Sequence, residues 1–197
     1  VGVLAAVYLV EYARKGSRLV RVIRLATETL SGIPSIVYGL FGYLCFVIAL
    51  RWEYSMLAGV FTLAIMVLPL IERTSEEALL AVPESYREAS FGLGAGKLRT
   101  VFRIVLPSAV PGILAGVILA VGRMVGESAA LIFTAGTVPS LPKNLFSSAR
   151  TLSVHLYALI SEGLYTSEAY ATSLVLLVMV LGINTLSYAI AKKLSKK

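Results

Sequence analysis

Long apolar runs, separated by short charged stretches, dominate the pattern of hydrophobic and polar positions along this chain. Four of these runs are long, at about residues 28–50, 54–72, 107–133 and 168–191. A helix rises ~1.5 Å per residue, so each run is long enough to cross a bilayer core of about 30 Å. A shorter apolar run at about 1–10 covers roughly half of that distance. The pattern predicts an all-α polytopic membrane protein with four full spans and part of another.

The composition agrees with that prediction and argues against an ordinary soluble domain. Hydrophobic residues make up 57% of the chain and charged residues only 15%, whereas a soluble domain averages about 25% charged residues. The first apolar run is followed by basic residues, which is the reverse of a signal peptide, and the chain begins with Val1. We therefore expect this run to be the cytoplasmic half of a helix, in a domain that is incomplete at its N-terminus.

Basic residues predict the orientation of the spans. Fourteen of the eighteen Lys and Arg residues lie in three stretches on one side of the predicted membrane, at 14–24, 73–103 and 192–197. The opposite side holds Arg51, Lys143 and Arg150. Because short cytoplasmic loops collect Lys and Arg, the C-terminus is predicted to be cytoplasmic. The net charge of +7 is dispersed among the spans, which indicates contact with anionic lipid headgroups rather than with nucleic acid.

Few residues suited to metal or nucleophilic chemistry are present. Cys45 is the single cysteine and lies in an apolar run, and His155 is the single histidine. All eleven acidic residues are Glu, and the chain has no Gly-x-x-x-x-Gly-Lys-Ser/Thr phosphate-binding loop. We therefore expect no metal site, no bound cofactor and no ATP hydrolysis by this chain itself.

The charged stretch at about 73–103 carries its own structural signals. Pro83 lies at a plausible helix start, and the acidic residues that follow it suit the positive end of a helix. Gly92, Gly94 and Gly96 then permit turns with positive φ that would end the helix. This stretch is predicted to fold as a compact, polar element on the cytoplasmic face, which by itself is also compatible with a well-ordered loop.

Arg123 is the most unusual residue of the third long run. In a helix that starts near Pro111, Arg123 would lie about 18 Å along the axis, close to mid-membrane, where a charge is costly and faces a pathway or a partner. Glu127 follows four residues later, so a continuous helix would place both on one face and allow them to pair. A structural ion pair and a role for the guanidinium in binding an oxyanion both stay open at this point.

The cytoplasmic stretch resembles a motif of known transporters. Glu88-Ala89-Ser90 is followed by Gly94, Ile104 and Leu106-Pro107, which is similar in spacing to the Glu-Ala-Ala loop of ABC importer permeases. The resemblance implies a type I (MetI-like) importer transmembrane domain whose loop fits a groove on an ATPase subunit. The residues that it assigns to this coupling role are Glu84, Tyr86, Arg87, Glu88, Ala89, Ser90, Gly94, Ile104, Leu106 and Pro107.

Three further segments narrow the resemblance. The segments at 8–13, 29–39 and 123–136 are similar to the PstA-type permease subunits of bacterial and archaeal phosphate importers. This family implies four partners in a prokaryotic cell membrane, namely a PstC-like permease, two copies of an ATPase that binds ATP and Mg²⁺, an external phosphate-binding protein and the lipid bilayer. It also makes Arg123, Glu127 and Arg73 candidates for the anion pathway.

Three alternatives to phosphate import are compatible with the sequence. The same machine could carry molybdate, tungstate or sulfate, since a central Arg does not select phosphate by itself. A membrane scaffold could use the stretch at 82–96 only for docking. A membrane enzyme is disfavoured, because one His and no Asp provide no set of nucleophile, base and orienting acid.

Overall fold

Every regular element in the part of the chain that the structure describes is a helix. The computed structural model describes residues 1–14, 16–163 and 165–194. The helices in these ranges are α1 (Gly2–Tyr12), α2 (Arg18–Ser31), α3 (Ser35–Ala49), α4 (Met56–Leu80), α5 (Glu84–Gly92), α6 (Lys97–Val125), α7 (Ala129–Thr134), α8 (Leu152–Glu162) and α9 (Thr166–Leu194). Lys15, Lys196 and Lys197, which belong to the predicted basic stretches, lie outside the described residues.

Three of these helices are long and apolar enough to cross a membrane. They are α4, α6 and α9, with mean hydropathies of 1.8, 2.3 and 2.2 over their most apolar windows. The predicted span at 28–50 corresponds to the end of α2, a break at residues 32–34 and all of α3. Together α2 and α3 are also long and apolar enough to cross a membrane, but they are bent by 102° at this break. Pro34 accounts for the break, since it has an extended ψ of 142° and has no backbone N–H to continue the helix.

Three helices contain a stretch of wide, π-helical turns. These stretches are Tyr8–Tyr12 in α1, Tyr43–Ala49 in α3 and Val101–Val105 in α6. In a π-helical turn the hydrogen bond reaches five residues along the chain instead of four, so the turn holds one extra residue.

The chain divides into two compact units. The first is formed by Val1–Ser31, by Leu68–Ala120 and by the end of the chain from Leu186. Its buried apolar cluster joins α1, the end of α4 and the first half of α6, and contains Ala6, Val7, Leu79, Val82, Val101, Val105, Ala109 and Ile113. Gly116 allows α6 to approach α4, because a Cβ at this position would overlap the side chain of Thr74.

The second unit is formed by Gly32–Val67 and Val121–Thr185. In it α3 packs on α7, and a Cβ on Gly39 would lie 2.9 Å from Cα of Ala130. The loop after α7 binds the start of α4, where Leu145 O and Ser147 O accept hydrogen bonds of 3.0 Å from the backbone N–H groups of Leu57 and Met56. These bonds satisfy donors that the first turn of a helix otherwise leaves without partners.

The predicted span at 107–133 corresponds to α6, a short break and α7. The helix α6 begins earlier than predicted, at Lys97, and ends at Val125. The break consists of Gly126, Glu127 and Ser128, after which α7 begins. A hydropathy pattern does not reveal this break, because the residues on both sides of it are apolar.

Candidate functional site

The stretch between α4 and α6 contains a short helix, as predicted. This helix, α5, starts at Glu84, directly after Pro83, whose φ of −55° and ψ of 135° end the preceding segment. Glu84 lies in the first turn, where its charge stabilises the positive end of the helix.

Gly94 ends α5 in the way that its position predicted. Its φ is +80°, and its N–H donates to Phe91 O at 2.9 Å while the N–H of Ala95 donates to Ser90 O at 3.1 Å. These two bonds form a Schellman motif, in which a residue in left-handed conformation closes the last turn. A Cβ on Gly94 would meet no atom within 4 Å, so only its backbone conformation requires glycine.

The outer face of α5 and the turn after it expose large apolar side chains. Tyr86, Phe91 and Leu98 are exposed, and Leu93 is 89% exposed. A cavity of about 540 Å³ lies beside these residues. Its lining residues are Tyr86, Ala89, Ser90, Leu93, Gly94, Ala95, Arg99, Arg103 and Ile104. Clustered apolar side chains with a basic rim are typical of a protein docking surface. We call this surface, consisting of Tyr86, Ala89, Phe91, Leu93 and Leu98, the docking face.

The inner face of α5 is held by a buried arginine. Both Arg87 and its partner Glu11 have side chains that are only 9% exposed. Arg87 Nη2 and Nε donate to Glu11 Oε1 at 2.8 and 3.1 Å. The remaining bonds run from Arg87 Nη1 to Val82 O and Glu84 Oε2, and from Nη2 to Leu79 O. All five N–H donors of the guanidinium therefore have acceptors.

Ser90 also faces inwards. Its hydroxyl lies 2.8 Å from the hydroxyl of Thr100, and this bond joins α5 to the start of α6. An Ala at this position could not make this contact.

The ten residues assigned to coupling separate into three groups by exposure. Glu84, Tyr86, Glu88, Ala89, Gly94 and Pro107 are exposed, Ile104 and Leu106 are half-buried, and Arg87 and Ser90 are buried. The two buried residues hold α5 in place rather than presenting a surface. Sequence reasoning missed Phe91, Leu93 and Leu98 on the docking face, although large apolar residues in a charged loop were a signal for them.

Arg123 and Glu127 do not form the ion pair that a continuous helix would have allowed. The helix ends at Val125, so Glu127 is displaced from the face that carries Arg123. Glu127 Oε1 instead accepts from the N–H of Ala130 at 3.3 Å, at the start of α7, and Glu127 O accepts from Ser153 Oγ at 2.6 Å. Arg123 is exposed and makes no ion pair among the described residues.

Arg73, the third candidate for an anion pathway, lies in the first unit on α4. It is exposed and pairs with Glu77 at 3.2 Å, one turn along the helix. Nearby, Arg24 of α2 pairs with Glu76 at 2.5 Å, and Glu72 is buried with Oε1 lacking a hydrogen-bond partner. Charges of both signs surround Arg73, so its surroundings are less suited to an anion than those of Arg123.

Comparisons with known proteins identify relatives of this chain among transporter permeases. The probable ABC transporter permease protein YqgI of Bacillus subtilis is 39% identical over 212 residues, which cover 100% of this chain and 72% of that protein. The phosphate transport system permease protein PstA 2 of Mycobacterium bovis is 44% identical over 142 residues, covering 72% of this chain and 46% of that protein. The PstA protein of Yersinia pestis is 37% identical over 199 residues, covering 98% and 65%.

The fold is also that of a solved transporter. An inward-facing structure of the MetNI methionine ABC transporter, in its CY5 native crystal form, contains a chain that superposes with a TM-score of 0.81. The match covers 98% of this chain and 86% of that chain at 20% identity, so it shows a shared type I importer fold. The family model for the binding-protein-dependent transport system inner membrane component matches residues 1–197. This chain therefore belongs to the family of inner membrane components of binding-protein-dependent transport systems.

Proposed function

We propose that this chain is the PstA-like permease subunit of an ATP-driven phosphate importer. The docking face is the observation that supports the coupling role. It exposes apolar side chains on the cytoplasmic helix α5, whose opposite face is anchored by Arg87. Relatives at 37–44% identity that are named as phosphate transport permeases support phosphate as the substrate. The chain spans 46% and 65% of the length of these two relatives.

The complex would contain four kinds of partner. A PstC-like permease completes the pathway, two ATPase subunits bind ATP and Mg²⁺, an external binding protein delivers phosphate, and the bilayer surrounds the spans. The exposure of α9 is consistent with contact to lipid or to the second permease, because none of its most apolar window is buried within this chain. The C-terminus, with Lys192 and Lys193, lies on the cytoplasmic side in this arrangement.

In this mechanism the ATPase subunits move α5. When they close on ATP, the docking face follows the ATPase surface and the pathway turns outwards to accept phosphate. Hydrolysis then releases the ATPase subunits, and the pathway turns back to the cytoplasm. This chain itself catalyses no reaction; it converts a displacement at its cytoplasmic face into a change of access.

Arg123 is our candidate for contact with the anion. Its guanidinium has five donors in a planar fork that matches an oxyanion, and no carboxylate among the described residues neutralises it. Glu127 orders the break between α6 and α7 by binding Ala130, so it positions the pathway rather than competing for the Arg123 side chain. Arg73 is a second candidate for contact with the anion. It is a weaker candidate than Arg123 because Glu77 already pairs with it.

The test is ATP-dependent uptake of radiolabelled phosphate into proteoliposomes that contain the full-length chain, the second permease, the ATPase and the binding protein. We expect uptake that excess molybdate and sulfate do not reduce. Replacing Arg123 with Gln should abolish uptake while the complex still assembles, and Lys143→Gln, an exposed change on the outer side, serves as the control. Displacement by molybdate would overturn phosphate as the substrate. Assembly without any transport would favour a scaffold.

A further inference from the structure

We propose that Arg87 and Glu11 form a positioning pair that fastens α5 to α1 and to the end of α4, so that these three segments move as one body. The proposal rests on the proposed function, since it concerns how motion of the docking face enters the membrane. It assigns to α1 a role in coupling that the family motif does not contain, because Glu11 lies 76 residues before Arg87.

The hydrogen bonds of Arg87 join three separate segments. Glu11, in the last turn of α1, receives two bonds to the same oxygen, at 2.8 and 3.1 Å. Leu79 O, in the last turn of α4, and Val82 O, two residues past its end, receive bonds of 3.1 and 3.0 Å. Arg87 itself belongs to α5, so a single side chain connects the coupling helix to two others.

The end of α4 needs this donor. The last carbonyl groups of a helix have no partners within it and carry the negative end of its dipole. The N–H of Val82 reaches Leu79 O only at 3.4 Å, and Pro83 has no N–H to offer. The guanidinium bonds Leu79 O in the last turn and Val82 O in the linker that follows. It compensates the dipole at the same time, which a Lys with its single ammonium could not do in the same geometry.

Two further contacts support α1 as part of the same body. Ala6 and Val7 of α1 lie in the buried cluster with Val101 and Val105 of α6. Lys97 Nζ, at the start of α6, lies 5.2 Å from the centre of the Tyr12 ring, a cation–π contact. The pair formed by Arg87 and Glu11 therefore adds to contacts that already join α1 to the start of α6.

A buried ion pair could also serve stability alone, and the two roles predict different measurements. A pair that only stabilises the fold would lower ATP hydrolysis and transport by the same factor when it is broken, because less complex would survive. A positioning pair would lower the number of phosphate ions transported per ATP, since the ATPase would move α5 without moving α1 and α4.

The first experiment measures whether α1 and α5 move together in the assembled transporter. In a Cys45→Ala background, spin labels are placed at the exposed positions Tyr8 and Ser85, and their distance is measured without nucleotide and with ATP trapped. We expect the same distance in both states, and a broad distribution after Arg87→Gln. A change of distance between the two states in the otherwise unaltered protein would overturn the proposal.

The second experiment measures transport per ATP in reconstituted complexes of equal assembly. We expect Arg87→Gln to lower this ratio on the order of tenfold, because breaking the buried pair lets the ATPase move α5 without moving α1 and the end of α4. Glu11→Gln should lower it less, Arg87→Lys should restore it in part, and Arg21→Gln on α2 should leave it unchanged. An unchanged ratio in both Arg87→Gln and Glu11→Gln would refute the coupling role. If the unaltered complex hydrolyses ATP without carrying phosphate, the proposed substrate fails, whereas the distance measurement still decides the positioning role.

Discussion

Replacing Gly94 with Ala should loosen the end of α5 by an amount that the structure defines. The backbone at Gly94 has φ of +80°, and placing an L-residue with a Cβ in this left-handed region costs roughly 1–2 kcal/mol. No steric cost adds to this, because no atom lies within 4 Å of the new Cβ. A change of this size corresponds to a factor of about 5–30 in the equilibrium for local opening.

Gly92 provides the matched control, two residues away. A Cβ on Gly92 also meets no atom within 4 Å, and no positive φ is found there. Since Gly92 is the last residue of α5, Gly92→Ala should be neutral or stabilise the helix by up to about 0.5–1 kcal/mol. Gly94→Asn should lie between the two, because Asn tolerates the left-handed region better than Ala does.

Hydrogen exchange of the purified permease in nanodiscs measures the effect where it arises. The amide of Ala95, which donates to Ser90 O, and those in the last turn of α5 should exchange about 5–30-fold faster in Gly94→Ala, with other helices unchanged. Binding of the ATPase subunit, titrated separately, should weaken by a similar factor. The reasoning is refuted if Gly94→Ala exchanges like Gly92→Ala, or if the loss of protection extends through the protein.

Three other substitutions test separate parts of the structure. Gly42→Ala should destabilise the second unit by about 1–3 kcal/mol, because the added methyl group overlaps Thr62 in a packed site; thermal unfolding in detergent measures this, and adding Thr62→Ala should recover part of the loss. Leu93→Ser should reduce ATPase binding without lowering the unfolding temperature, since this side chain is 89% exposed; an equal fall in both would show that Leu93 serves the fold instead. Ser90→Ala should lower stability by about 0.5–1.5 kcal/mol through loss of the hydroxyl contact, whereas an unchanged melting temperature would mean that this contact adds nothing.

The parts of the fold that are set by residues close together in the sequence could be predicted. Hydropathy alone indicated the spans that became α4 and α9, because a helix in lipid must satisfy its own backbone and expose apolar side chains. Pro83 and Gly94 marked the two ends of α5, since each restricts the backbone in a way that does not depend on distant contacts.

The parts that depend on distant contacts could not be predicted. The pairing of Arg87 with Glu11 joins residues 76 positions apart, and no periodicity encodes it. The same limit applies to the face of α5 that is buried, because the position of α1 decides it. Arg123 and Glu127 failed as an ion pair for a local reason: Gly126 interrupts the helix between them inside a run that is otherwise apolar, and the hydropathy pattern carries no mark of it.

The π-helical turn at Val101–Val105 affects the direction in which the start of α6 faces. α6 runs without interruption from Lys97 to Val125, 29 residues or about 43 Å at ~1.5 Å per residue. A π-helical turn holds one residue more than the α-helix needs, and each residue of an α-helix turns the chain by about 100°. If the same residues adopted regular α-helical turns instead, the surplus residue would rotate Lys97 and Leu98 by roughly that angle about the axis of α6. The direction in which the docking face points is thus fixed by the number of residues in this segment as well as by their chemistry.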